Sequence, residues 1–108
     1  MAITQASPNG VMNSAVPFPQ WVDAVVLGST SAESYTVPAG AGYAVITCNA
    51  PVWACISGTA TIPAADTTDG TSSFYLAAGM QCKLGSGKTL SVIRASGAAI
   101  VSIGVYHA

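Results

Sequence analysis

Charge is almost missing from this chain. Asp23, Glu33, Asp66, Asp69, Lys83, Lys88 and Arg94 make up 6% of its 108 residues, against about 25% in ordinary soluble domains. Each shortage excludes something. Three cations and a net charge of −1 cannot replace the counterion atmosphere of a nucleic acid, so no nucleic-acid partner is expected. His107 is the one imidazole and stands beside the end of the chain. Nucleophilic catalysis needs a base beside the nucleophile and an orienting group beyond it. No Ser or Cys here stands in such a setting, and the reading is of a protein that is not an enzyme.

Long apolar runs are missing too. The most apolar stretch, 97–108, is broken by Ser102 and Gly104 and falls short of the ~18–20 residues a spanning helix needs. The first twenty residues have neither a basic segment nor an apolar core, so no secretory signal and no membrane association are expected. Cysteine is sparse and odd in number: Cys48, Cys55 and Cys82, with no C-x-x-C. Residues 47–52 read as a hairpin turn, which holds Cys48 and Cys55 beyond disulfide reach. All three thiols are expected to be free, as small buried hydrophobes.

What the chain does have is alternation and punctuation. After Gln20, short segments separated by Gly, Pro and Ser clusters read as strands. The spacing predicts strands over 21–27, 34–37, 43–48, 52–57, 59–62, 73–77, 80–84, 88–95 and 98–106. Met80, Cys82 and Leu84 share one face, with Gln81 and Lys83 opposite; Ala99, Val101, Ile103 and Val105 line one side of the last segment. No window carries a helical period. Eight or nine short strands mean an all-β, antiparallel β-sandwich or small barrel, jelly-roll-like. Ile46, Trp53, Ile56, Leu90, Val92, Val101 and Ile103 are expected in or near its core.

Residues 1–20 differ from this domain of 21–108. Pro8, Pro17 and Pro19 bar helix and central strand, and no charge keeps the segment in water, so it reads as an extended N-terminal arm. Its Ile3, Val11, Met12, Val16 and Phe18 are unusual for a solvated tail. An arm that docks on a partner is expected over a floppy terminus, with Val16, Phe18 and Trp21 as the expected interface residues.

Two motifs invite chemistry and decline it. Gly85-Ser86-Gly87-Lys88-Thr89 lacks the first glycine of a phosphate-binding loop, since position 82 is Cys, and continues as strand rather than helix. A tight hairpin turn is expected instead. Asp66 and Asp69 form the most acidic spot but lack calcium-loop spacing and a closing Glu; Asx-type turns with Gly70 at positive φ are expected there. No metal, cofactor-binding or catalytic residue is assigned.

From about Tyr35 to Tyr106 the chain resembles small structural proteins of tailed bacteriophages, of the capsid decoration, cement or head-fibre type. The resemblance is carried by Val37-Pro38-Ala39-Gly40, by Trp53, and by the run Gly58-Thr59-Ala60-Thr61-Ile62-Pro63-Ala64-Ala65-Asp66-Thr67-Thr68-Asp69-Gly70-Thr71. It implies a β-sandwich, self-association as a homotrimer, and attachment to the major capsid protein. It also implies a place on the capsid surface of the virion after synthesis in a host cytoplasm. The rival reading is a receptor- or glycan-binding module of a phage fibre, for which Trp21, Tyr43 or Tyr75 would serve as stacking platforms.

Overall fold

The computed structural model describes residues 17–107. They form eight strands: β1 Trp21–Leu27, β2 Glu33–Thr36, β3 Tyr43–Cys48, β4 Val52–Cys55, β5 Phe74–Leu76, β6 Gln81–Gly85, β7 Thr89–Arg94 and β8 Ala99–Tyr106. No helix occurs among the described residues. The strands make two antiparallel sheets of four, ordered β1-β8-β3-β6 (sheet I) and β2-β7-β4-β5 (sheet II).

The alternation that marks the strands also joins the sheets. In β8 the set Ala99, Val101, Ile103 and Val105 is buried, while Ile100 and Ser102 are exposed. In β6, Leu84 is buried and Cys82 half-buried, with Gln81 and Lys83 outside. From sheet II, Val52, Ala54, Leu76, Leu90 and Val92 meet these side chains in one apolar cluster. Burying one face of each sheet against the other is the main drive for this architecture.

Consecutive strands mostly change sheets, and this corrects the expected hairpins. Segments 43–48 and 52–57 do not pair: β3 belongs to sheet I and β4 to sheet II. The corner between them has a physical cause. Asn49 extends the β3–β8 ladder by exchanging bonds with Ile100, N–H to carbonyl at 3.1 Å and Oδ1 from the Ile100 N–H at 2.8 Å. Two residues later Pro51 has no N–H to give a ladder, and its carbonyl accepts from Ala95, the residue that follows β7 of the other sheet (3.1 Å). Likewise the turn at 85–88 links β6 to β7 across sheets rather than within a hairpin. Only β4 and β5, joined by residues 56–73, are consecutive strands paired with each other.

Residues 59–62 form no strand. Ala60 is buried, and its N–H donates to Ser91 Oγ at 2.8 Å, so its backbone donor is spent on a side chain. Residues 56–73 thereby close over the outward faces of Ser91 and Cys55, whose thiol lies 3.3 Å from Ser57 Oγ and 3.8 Å from the Thr71 carbonyl. Ser91→Ala removes the acceptor and strands a buried N–H. A loss of about 1–3 kcal/mol is expected, read as a shift in the urea midpoint with an unchanged slope.

Two core expectations change. Ile56 is exposed, because β4 stops at Cys55 and the chain turns away to bond its thiol. Trp53 is half-buried on the outer face of sheet II, where its ring sits 5.1 Å from that of Tyr75 at a tilt of 59°. Ile46, Leu90, Val92, Val101 and Ile103 are buried as expected.

Candidate functional site

The few ionisable groups are put to structural use. At the β1/β2 side of the sandwich, Asp23 Oδ2 accepts from Trp21 Nε1 (2.9 Å) and from the Tyr35 hydroxyl (2.5 Å). This trio closes the gap between the two edge strands. Burial, then the Asp23 hydrogen bond and charge, push the Tyr35 phenol up from 10.0 to about 12. The folded state therefore holds the proton more tightly than the unfolded chain does. The stabilisation is complete below pH 10 and is lost as pH rises through about 12. Between those limits the melting temperature of the wild type should fall more steeply than that of Tyr35→Phe, measured by circular dichroism.

Asp69 accepts from the Thr71 N–H (3.2 Å) and hydroxyl (2.6 Å), which lowers its carboxyl below the usual range. Gly70 sits at φ +88°, the left-handed position of the expected Asx turn. Among the described residues no three His, Cys, Asp or Glu side chains gather as a metal-binding group. Cys48, Cys55 and Cys82 are free thiols. Burial, and then the neighbouring Cys82, raise the Cys48 thiol, which points at the Ala77 carbonyl (3.4 Å). The Ser57 hydrogen bonds lower the Cys55 thiol, against its burial.

The outer face of sheet I is the larger feature. Val22, Val26 and Ile100 are exposed there, beside the half-buried Val45 and Thr47. Its one cation, Lys83, lies 4.5 Å over the ring of Tyr43, which stacks on Tyr106 at 4.9 Å. Exposed apolar surface gathered on one face marks a contact surface more often than scattered single residues do.

The chain enters β1 across this face. Tyr106 donates its hydroxyl to the Pro17 carbonyl (2.5 Å). Pro19 packs on Gly104 so closely that a Cβ at 104 would lie 2.7 Å from Pro19 Cγ and 2.8 Å from its Cβ. Phe18, between the two prolines, is 88% exposed. It overhangs a hollow of about 200 Å³ bordered by Val22, Val45, Thr47 and Gln81.

The opposite side of the sandwich is open. Between the edge strands β5 and β6 lies an apolar slot of about 400 Å³. Ile46, Ala54, Leu76, Cys82, Leu84 and Leu90 line it, and the exposed Ile56 and Phe74 stand at its rim.

Of the expected interface residues, Val16 lies outside the described residues, as does the rest of the arm before Pro17. Phe18 lies on the outer face of sheet I. Trp21 is 60% exposed but belongs to the inward-pointing set of β1 with Asp23, so the two aromatics do not share a face. Sequence reasoning missed Gly104, Tyr106 and the slot. The Gly104 signal was visible as a residue without a side chain on the outer face of a long strand; its proline partner was not. No family model, curated protein or solved structure matches this chain.

Proposed function

We propose that this chain is a non-enzymatic structural protein of a tailed-phage virion, binding the major capsid protein as a homotrimer and stabilising or decorating the shell surface. The observation that carries the reading is the outer face of sheet I, with exposed Val22, Val26 and Ile100, one cation, and the arm's last residues seated across it. A face so poor in charge is suited to being covered, because interface centres are depleted in charged residues. The strand orders β1-β8-β3-β6 and β2-β7-β4-β5 support a jelly roll of two Greek keys, an architecture used in viral capsid and lectin domains. Architecture alone does not carry function, and the lectin association keeps a second reading in play. The half-buried Trp53 and the exposed Tyr75, paired on sheet II, are the platform a glycan-binding fibre module would use.

Two apolar surfaces at different places on the molecule favour a cyclic assembly over a two-fold dimer. Contacts between unlike patches run head to tail, and they give a ring where the rotation between copies closes. The test combines sedimentation at micromolar concentration with pelleting on assembled shells. The expected result is a trimer that pellets with shells and whose melting is indifferent to free sugars. A monomer that ignores shells and melts higher with a saccharide would overturn the proposal in favour of the glycan-binding reading.

A further inference from the structure

We infer that the slot between the β5 and β6 edges receives the Phe18 ring of a second copy of this chain, joining the copies head to tail. The inference rests on the self-association proposed above and names the contact that carries it.

The slot is a receptor for something apolar. It is lined by aliphatic and thiol side chains, and Lys83 at its border is its one ionised group. An apolar cavity of about 150 Å³ already holds a benzene ring, and this one measures about 400 Å³. Exposed Ile56 and Phe74 at its mouth, 62% and 63% accessible, would clasp an entering ring rather than repel it.

Phe18 stands outside the hollow that it borders on its own chain, 88% exposed. It is the most exposed large apolar side chain among the described residues. Its own slot faces the other side of sheet I. The ring borders Val45, Thr47 and Gln81, which point outward, whereas Ile46, Cys82 and Leu84 alternate with them and face the slot. Pro19 is seated on Gly104 of β8 and Pro17 is held by Tyr106, with β3 between β8 and the β6 edge. The ring is therefore tethered short of its own slot, and the occupant comes from another copy.

The presentation of Phe18 is already paid for in conformational entropy. Pro17 and Pro19 fix φ on both sides of it, the Tyr106 hydroxyl holds the Pro17 carbonyl, and Pro19 is seated on Gly104. A projecting group that is preorganised loses little freedom on docking. Because knob and hole are different surfaces, each copy offers one and fills one, as a closed ring requires.

The test uses the full chain. Phe18→Ala, a change at an exposed site, should keep the wild-type circular dichroism and melting temperature and weaken association at least tenfold in sedimentation. Phe18→Cys, mildly oxidised, should give covalent oligomers on a non-reducing gel by pairing with Cys82 of the partner subunit. Adding Cys82→Ser should abolish them. If the wild type associates but Phe18→Ala associates equally well, the slot assignment is wrong while self-association stands. Absence of a Cys82-dependent link between chains, or a link within one chain, also overturns it. A wild type that is monomeric both free and on shells removes self-association itself, and the slot contact with it.

Discussion

Ile103→Ala should lower the stability of this protein by about 4 kcal/mol. Ile103 has no exposed surface and sits in β8, the strand flanked by β1 on one side and β3 on the other, opposite Asp23 and Ile46. Truncation removes its transfer free energy and leaves a cavity. The second term is large where neighbours cannot collapse, and β8 is held by hydrogen bonds on both edges. For a domain of this size, each 1 kcal/mol moves the melting temperature by roughly 4–8 °C. A drop on the order of 15–30 °C in a thermal scan is therefore expected. Ile100→Ala in the same strand is the control, since Ile100 points outward and is 39% exposed; less than about 1 kcal/mol should be lost there. Equal losses at the two positions would mean that the two faces of sheet I are not distinguished as described.

That contrast also marks what was legible in the sequence. Strands with one wet and one dry face announce themselves by period, so β6 and β8 could be read residue by residue. Which strands pair could not, because pairing in this fold is almost wholly non-local. The segment around Asn49 and Pro51 has hairpin composition, yet its hydrogen bonds go to Ile100 in one sheet and to Ala95 just past the end of β7 in the other. Residues 59–62 have strand-like composition, but the Ala60 N–H is taken by a serine hydroxyl from β7. Ile56 continues the apolar alternation of β4 and is nevertheless exposed, because the strand ends one residue before it.

The candidate site divides in the same way. Phe18 could be picked out as an apolar residue without a period in an uncharged segment. The slot could not, since it is a gap between two edge strands that exists only once both sheets are assembled. Nor could the separation of Phe18 from Trp21. Three residues apart in sequence, they fall on opposite faces of sheet I because the chain crosses the outer face before β1 begins, whereas Trp21 points inward at the start of that strand.

Gly104→Val should lift residues 17–19 off sheet I while leaving the sandwich folded. A Cβ there would stand 2.7 Å from Pro19 Cγ, a distance real side chains do not hold, and a proline ring cannot swing aside like a long side chain. Two outcomes compete. The strand could distort, or the stub of Pro17 to Pro19 could lift. Lifting is cheaper, because β8 is bonded along both edges and valine suits a strand, whereas the stub is held chiefly by one Tyr106 hydrogen bond and the Pro19 contact. The combined cost is about 2–3 kcal/mol, from relieved overpacking and a lost hydrogen bond. The larger effect falls on the proposed self-association. With its seat gone, Phe18 is no longer presented in one direction, and association should weaken at least tenfold, about 1.4 kcal/mol. If both substitutions act through the same contact, Gly104→Val combined with Phe18→Ala should weaken association no more than the stronger single change. Additive losses would instead mean that Gly104 supports assembly by another route. Unchanged association in Gly104→Val, measured by sedimentation beside the wild type, would make the seating of Pro19 a local packing detail without a role in joining copies.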